Sequence, residues 1–259
     1  MPIEFNMIAV ILLPLVVALV ISFLSTPIVK SFAYKLGAID VPKDERRMHK
    51  VPIPRMGGLA IFLGFIISVL LFVEVDDQMK GILLGSVIIV VMGIIDDITP
   101  LRASLKFVIQ ILAALIPVYY GVQITCISNP NLFSDNPYWN FGWLSIPITV
   151  IWIVGLTNAV NLIDGLDGLA IGVSSISALT MLAIAILVAE PQVAVIMAAL
   201  VGACIGFMPY NMNPAKIFMG DTGSTFLGYI LACITIQGLF KFYAVISFVV
   251  PFLILGLPI

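Results

Sequence analysis

Nine long apolar runs constrain the fold of this chain more than any other feature of its sequence. Each is long enough, or nearly so, to cross about 30 Å of hydrocarbon as a helix. Of the 259 residues, 61% are hydrophobic and only 10% are charged, too few to cover a large soluble core. We therefore predict an all-α polytopic membrane protein with about nine transmembrane helices. The runs span residues 6–28, 57–75, 80–95, 104–121, 143–158, 168–189, 191–209, 222–239 and 242–259.

The distribution of basic residues predicts the orientation in the membrane. Seven of the twelve Lys and Arg residues lie between Lys30 and Arg55. By the positive-inside rule this first loop is cytoplasmic, which places the N-terminus outside. The outer side then receives segment 122–142, whose Asn-Pro turns and aromatic residues predict a short hairpin at the membrane interface. The loops predicted to be cytoplasmic are 29–56, 96–103, 159–167 and 210–221.

The chain shows no internal repeat, low-complexity tract or linker, so we predict one transmembrane domain over residues 1–259. The three cysteines, Cys126, Cys204 and Cys233, are scattered and indicate neither a disulfide framework nor a metal cluster.

Five aspartates stand at ends of apolar runs, all on the predicted cytoplasmic side. An isolated carboxylate near a bilayer core costs roughly 2.5 to 3.5 kcal/mol, so five of them require water, partners or a cation. A shared Mg²⁺ site explains them together, because Mg²⁺ is commonly held by one or two carboxylates plus substrate phosphates. The sequence offers no Cys or His cluster for zinc. The aspartates are Asp96, Asp97, Asp164, Asp167 and Asp221.

The segment NAVNLIDGLDG has the densest set of polar side chains. Its Asn and Asp residues are spaced by three, which stacks side chains on one helical face. Gly165 and Gly168 break the helix and expose backbone N–H groups, so oxygen ligands for a cation and donors for an anion lie together. Helix packing through small polar residues explains Asn158 but not the whole set. The set is Asn158, Asn161, Asp164 and Asp167.

The segment GIIDD permits two interpretations. Asp96 and Asp97 form either a solvated turn or a functional pair, in which one binds metal and the other acts as a base or orients a phosphate. Lys106, at the start of the next run, is either a snorkelling lysine or a phosphate anchor.

The segment PAKIFMGDTGS predicts an anion site at a helix N-terminus. Thr222, Gly223 and Ser224 begin the next run, and Asp221 can link that terminus to a metal while Lys216 contacts a phosphate. The alternative is an ordinary N-cap by Asp221 with Lys216 as an interfacial anchor.

The combination of KVPIPRMGG, GIIDD, NAVNLIDGLDG and FMGDTGS resembles the polyprenyl-phosphate N-acetylhexosamine-1-phosphate transferases, glycosyltransferase family 4. These membrane enzymes move a sugar phosphate from a UDP-sugar onto a lipid phosphate and release UMP. The resemblance extends from about Lys43 to Gly228.

The resemblance implies roles for individual residues. Mg²⁺, with Mn²⁺ as an alternative, would be bound by Asn161 and Asp221. The catalytic pair would be Asp96 and Asp97, with Asp96 as the base for the lipid phosphate. The predicted substrate-binding set comprises the phosphate contact Lys106, the uridine-pocket residues Lys50, Gly165, Leu166, Asp167 and Phe218, and, from the residue patterns above, Asn158, Asp164 and Lys216.

The PxPRxGG form at 52–58 resembles the N-acetylglucosamine-1-phosphate branch, whereas the phospho-MurNAc-pentapeptide branch usually carries TPTMGG. The first branch implies transfer to undecaprenyl phosphate in a bacterial plasma membrane, initiating teichoic acid, O-antigen of lipopolysaccharide or related glycans. The expected partners are the UDP-sugar, the polyprenyl phosphate and the lipid bilayer, with no nucleic acid. A homodimer is an alternative to a monomer.

Two further alternatives are a truncated relative of this family and a protein of another class. Family members carry a His-rich motif in a cytoplasmic loop after the ninth span, and this chain stops at Ile259, so we expect that loop and the final helices to be lacking. The chain would then be a fragment or a truncated, inactive relative, since His49, its one histidine, is expected on the surface. A cation transporter is the more distant alternative, and it requires acidic residues near mid-membrane but no nucleotide pocket.

Overall fold

The computed structural model describes residues 5–42, 51–128 and 138–239. Eight α-helices occupy most of this part of the chain, and they coincide with the first eight predicted apolar runs. The ninth run, 242–259, lies outside the described residues. The helices are α1 Phe5–Leu36, α2 Gly58–Phe72, α3 Asp77–Ile98, α4 Ala103–Tyr119, α5 Ser145–Ile163, α6 Leu169–Leu187, α7 Pro191–Asn211 and α8 Gly220–Ile234, the last followed by a π-helical turn Thr235–Leu239.

Five helical segments are long and apolar enough to cross a membrane. Helices α2 and α4 are shorter but also apolar. The described part of the chain is therefore an all-α, multi-pass membrane protein, as the sequence predicted. The five segments are Ala9–Leu36, Asp77–Ile98, Gly142–Ile163, Leu169–Leu187 and Pro191–Asn211.

Three helices extend further than the apolar pattern indicated. Helix α1 continues to Leu36, α3 to Ile98 and α5 to Ile163. Asp96, Asp97 and Asn161 therefore lie in last helical turns and not in the predicted loops 96–103 and 159–167. The pattern ended the helices early because polar side chains interrupt it, whereas in the fold these side chains find partners on neighbouring helices.

Helices α7 and α8 form the core of the bundle. Helix α8 packs against α2, α3, α5 and α6, and its residues from Thr222 to Ile234 are all buried. Helix α7 is apolar on every side and is buried along most of its length, as expected for a helix in such a central position. Helix α1 covers α7 and α2 and leaves side chains such as Leu24 and Ile28 exposed, as lipid-facing residues are.

Small residues bring α1 and α7 into close contact. Gly202 and Gly206 of α7 face the backbone carbonyls of Leu15 and Leu19, so a side chain at either glycine would collide with α1. Ser22 Oγ also donates a hydrogen bond of 2.8 Å to the carbonyl of Ala203. Close backbone approach through small residues, supported by a polar contact, is typical of membrane helix pairs.

The helices alternate in direction, which gives the bundle two chemically different ends. At one end the α2–α3 and α6–α7 connections meet, since Gln192 Nε2 donates to the carbonyl of Glu74 at 3.2 Å. The predicted hairpin follows α4 at this end, as β3 Cys126–Ser128 paired antiparallel with β4 Tyr138–Asn140. The short strands β1 Ile39–Asp40 and β2 Ile53–Pro54 pair near the opposite end, where the aspartates lie.

Gly93→Ala tests the contact between α3 and α8 that supports the aspartate end. A Cβ at Gly93 would collide with the backbone of Thr222, so the two helices would have to separate. We expect a loss of about 1 to 3 kcal/mol of stability, measured as a lower thermal unfolding midpoint in detergent. Gly155→Ala on α5 is the matched control, because nothing lies within 4 Å of its added Cβ. Equal unfolding midpoints for the two variants would contradict the packing argument.

Candidate active site

Four helix ends, together with Arg55 from the loop after β2, build the polar site at the aspartate end of the bundle. The last turn of α3 carries Asp96 and Asp97, and the last turn of α5 carries Asn161. The first turns of α4 and α8 carry Lys106 and Asp221. Because α3 and α5 end where α4 and α8 begin, residues that are more than a hundred positions apart in sequence, such as Lys106 and Asp221, come into contact.

Asp97 caps the N-terminus of α8. Its Oδ1 accepts from the backbone N–H of Asp221 at 3.0 Å, and its Oδ2 accepts from the N–H and hydroxyl of Thr222 at 3.1 and 2.6 Å. Arg55 Nε donates to Oδ1 at 3.1 Å, and the Asp97 side chain has no exposed surface. The anion at this helix N-terminus is therefore Asp97, where the sequence predicted a phosphate.

Asp221 is the centre of a hydrogen-bonded group of polar side chains. Lys106 Nζ donates to its Oδ2 at 2.7 Å and also lies 3.4 Å from Asp96 Oδ2. Asn161 Nδ2 donates to Asp221 Oδ1 at 3.2 Å and to Ser224 Oγ at 2.8 Å. Asp96 Oδ1 additionally accepts from the backbone N–H of Leu101 at 2.8 Å. The predicted metal ligands and the predicted catalytic residue Asp96 thus share one cluster.

Gly220 allows Asp97 and Asp221 to approach each other. Its φ is +71°, in the left-handed region that favours glycine, and a Cβ there would collide with the Asp97 carboxylate. The preceding segment is fixed to the residues after β2, because Gly57 N–H donates to the carbonyl of Phe218 and Gly58 N–H to that of Met219, both at 2.9 Å.

A cavity of about 1010 Å³ opens beside Asp221. Four residues predicted for the uridine pocket, Gly165, Leu166, Asp167 and Phe218, line it, as do the predicted metal ligands Asn161 and Asp221. Asp167 Oδ2 accepts from the backbone N–H of Ala215 at 3.0 Å and from Asn213 Nδ2 at 3.3 Å, so the α5–α6 and α7–α8 loops are joined. The remaining lining residues are Asp40, Val51, Ile53, Arg55, Asp164, Asn211, Asn213, Pro214, Ala215 and Gly220.

Asp164 lies in this cavity just after α5 ends. Burial raises the pKa of its carboxyl well above the usual range, and the negative charges of Asp97 and Asp221 raise it further. Gly168, with φ +75°, directly precedes α6, which confirms the helix break predicted in this segment.

Two predicted substrate-binding residues belong neither to the cluster around Asp221 nor to the cavity lining, and a third is not among the described residues. Asn158 donates from Nδ2 to Gln110 Oε1 at 2.6 Å and to the carbonyl of Val154, so it joins α4 to α5 as the packing interpretation proposed. The Lys216 side chain is exposed and does not line the cavity, which leaves the anchor interpretation open. Lys50 lies outside the described residues.

Sequence reasoning gave no functional role to Arg55, Ser224 or Asn213. Arg55 contributed only to the basic first loop and to the PxPRxGG form, and its position two residues before a Gly-Gly pair was the available signal. Ser224 was grouped with the helix start, and Asn213 drew no attention because Asn-Pro usually indicates only a turn.

The residues present would suit a cation that needs few protein ligands, such as Mg²⁺, better than one that requires a complete set of protein ligands. Within the described ranges, no three His, Cys, Asp or Glu side chains converge as a metal cluster. The cluster around Asp221 nevertheless contains three ion-paired aspartates, Asp96, Asp97 and Asp221, against two cationic side chains from this part of the chain, Arg55 and Lys106. Mg²⁺ retains waters and uses few protein ligands, and this site offers Asp221 and, after rotation of its amide, Asn161 Oδ1.

Fold and site together define a multi-pass membrane protein with a cavity lined by several acidic side chains at one end of its helices. The family model described as glycosyl transferase family 4 matches residues 79–239. The chain belongs to this family, as the resemblance of its motifs predicted.

Curated relatives extend the comparison beyond the family model. The chain is 44% identical over 250 residues to the probable undecaprenyl-phosphate N-acetylglucosaminyl 1-phosphate transferase of Bacillus subtilis, covering 95% of this chain and 69% of the relative. It is 38% identical over 237 residues to the decaprenyl-phosphate N-acetylglucosaminephosphotransferase of Mycobacterium tuberculosis, covering 83% and 57%. It is also 37% identical over 230 residues to the phospho-N-acetylmuramoyl-pentapeptide-transferase of Caldicellulosiruptor bescii, covering 82% and 71%.

Proposed function

We propose that this chain transfers N-acetylglucosamine-1-phosphate from UDP-N-acetylglucosamine to undecaprenyl phosphate and releases UMP. The observation that carries the proposal is the position of Asp221, which lines the cavity and is held by Lys106 and Asn161 beside Asp96. The names of the relatives from Bacillus and Mycobacterium support N-acetylglucosamine as the sugar and a polyprenyl phosphate as the acceptor. The product would initiate a cell-wall or surface glycan.

The proposal also includes the orientation in the membrane, the number of transmembrane helices and the oligomeric state. Lys35, in the last turn of α1, and Arg55, beside Asp97, lie at the aspartate end of the bundle, which supports a cytoplasmic site and an N-terminus on the outer side. We propose nine transmembrane helices, counting run 242–259, in a single domain over residues 1–259. A homodimer stays an alternative to the monomer.

The chemical step proposed is direct phosphoryl transfer. An oxygen of the lipid phosphate forms a bond to the β-phosphorus of the UDP-sugar, and the bond from that phosphorus to the bridging oxygen breaks, so that UMP leaves. Asp96 keeps the lipid phosphate deprotonated, and Lys106 positions and neutralises phosphate oxygens. Asp221 and Asn161 would hold Mg²⁺, or Mn²⁺, which when bound supplies positive charge to the diphosphate.

The contacts of Asp97 argue against a two-step route through an aspartyl-phosphate on that residue. Both of its oxygens accept hydrogen bonds from α8, and the side chain is fully buried. A nucleophile needs a free oxygen facing the substrate. Trapping a phosphorylated Asp96 or Asp97 would overturn the direct route.

One transfer assay tests the proposed function. Membranes containing the chain receive undecaprenyl phosphate, Mg²⁺ and radiolabelled UDP-N-acetylglucosamine, and label in the lipid fraction is measured. Because the chain covers 69% of the Bacillus relative, the same assay is run on a fusion to the part of that relative it does not match. We expect Mg²⁺-dependent label in lipid from at least one of the two. No transfer by either protein, with both folded, would contradict the proposal.

The pentapeptide branch is the second candidate function, supported by the 37% identity to the Caldicellulosiruptor transferase. A parallel reaction with UDP-MurNAc-pentapeptide separates the two. The higher identity to the Bacillus relative and the PxPRxGG form favour N-acetylglucosamine, so we expect label from the pentapeptide substrate to stay at background.

A further inference from the structure

Arg55 is anchored to the segment that carries Asp221. Its backbone N–H donates to the carbonyl of Ala38 at 3.0 Å, and the carbonyl of the preceding Pro54 accepts from Phe218 N–H at 2.8 Å. Arg55 and Phe218 also form an isolated parallel β-bridge. Because these backbone contacts hold Arg55 beside Phe218, the base of the Arg55 side chain has a defined position.

The guanidinium lies between two carboxylates and the cavity. Its Nε is 3.1 Å from Asp97 Oδ1, and its Nη2 is 3.8 Å from Asp221 Oδ1. The Arg55 side chain is 29% exposed, against 0% for Asp97 and 15% for Asp221. One edge of the guanidinium is therefore held by buried groups, and the other edge faces the cavity.

Among the described residues that line this cavity, Arg55 is the one with a cationic side chain. Lys106 reaches Asp221 without lining the cavity. Asp167 also lines the cavity, but its carboxylate accepts hydrogen bonds and has none to donate to a phosphate oxygen. A guanidinium offers planar, paired N–H donors that match two phosphate oxygens, which a single ammonium group does not.

We propose that Arg55 binds the diphosphate of the nucleotide-sugar through its cavity-facing edge while its Nε keeps Asp97, and with it the first turn of α8, in place. This inference rests on the proposed function and adds a substrate-contacting residue to it. Arg55 then discriminates nucleotides by their phosphates, because uridine alone offers it no anionic oxygen.

Nucleotide binding to the purified chain in detergent tests the inference without any turnover. Affinities for UDP-N-acetylglucosamine, UDP and uridine are measured by calorimetry with Mg²⁺ for wild type, Arg55→Gln, Arg55→Lys and Arg102→Gln. We expect Arg55→Gln to weaken both diphosphate ligands about 10- to 100-fold and to change uridine affinity less than about 2-fold. Arg55→Lys should recover part of the loss. Arg102→Gln, at an exposed arginine preceding α4, should match wild type.

Several outcomes would overturn the inference. Unchanged UDP affinity in Arg55→Gln, or an equal loss for UDP and uridine, would show that Arg55 acts only through Asp97 or through the fold. If Arg55→Gln does not fold, Arg55→Lys decides, since it must still lower the preference for UDP over uridine. Wild type that binds neither UDP-N-acetylglucosamine nor UDP would overturn the proposed function itself, whereas normal wild-type binding with an unaffected Arg55→Gln would overturn this inference alone.

Discussion

Asp221→Asn is expected to lower the transfer rate by roughly 10²- to 10³-fold, the loss typical of removing one preorganised charged contact. The substitution preserves side-chain volume but removes the negative charge that accepts from Lys106 at 2.7 Å and that would bind Mg²⁺. The Mg²⁺ concentration that supports half-maximal transfer should also rise. Initial rates across a Mg²⁺ titration, with label in the lipid fraction as the readout, measure both effects.

Glu74→Gln is the control for this substitution, because it also removes one carboxylate but lies exposed at the opposite end of the bundle. It should leave both the rate and the Mg²⁺ requirement unchanged. Near-normal turnover of Asp221→Asn would remove Asp221 as a metal ligand. A reduced rate with an unchanged Mg²⁺ requirement would instead assign Asp221 to the positioning of Lys106.

The apolar pattern of the sequence predicted the membrane fold because hydrocarbon imposes it. A helix that crosses a bilayer needs a long apolar run, so α1 to α8 could be located without tertiary information. Because burying a charge in a membrane is costly, the sequence likewise predicted that Asp96, Asp164 and Asp221 belong to one shared site. The structure brings Asp96 and Asp221 to the same lysine and places Asp164 in the adjoining cavity.

The division of roles within the site could not be predicted, because it depends on contacts between distant helices. The cap of α8 comes from Asp97, 124 residues before Asp221, whereas sequence rules seek a cap next to the helix. The three-residue spacing also failed to distinguish Asn158, which donates a hydrogen bond to Gln110, from Asn161, which donates one to Asp221. Both lie on α5 one turn apart, and only the neighbouring helices make them different.

Asp97→Asn is expected to destabilise the protein by about 3 kcal/mol and to reduce transfer severely. The buried carboxylate accepts from two N–H groups, the Thr222 hydroxyl and Arg55, so an amide NH₂ in its place would face another donor. Arg55 would also lose its charged partner. Since the first turn of α8 carries Asp221, its fraying should disrupt the site directly. A lower thermal unfolding midpoint and faster hydrogen exchange at the amides of Asp221 and Thr222 measure the effect.

Asp77→Asn provides the comparison on the same helix. Asp77 begins α3, its side chain is 78% exposed, and its partner is the exposed Lys80 at 2.7 Å. An exposed pair contributes at most about 1 kcal/mol, so this variant should unfold and transfer almost as wild type does. If Asp97→Asn lost activity with unchanged exchange at the start of α8, Asp97 would act on the substrate and not through the helix. If Asp97→Asn kept both its activity and its stability, the site would not require the cap that Asp97 forms on α8.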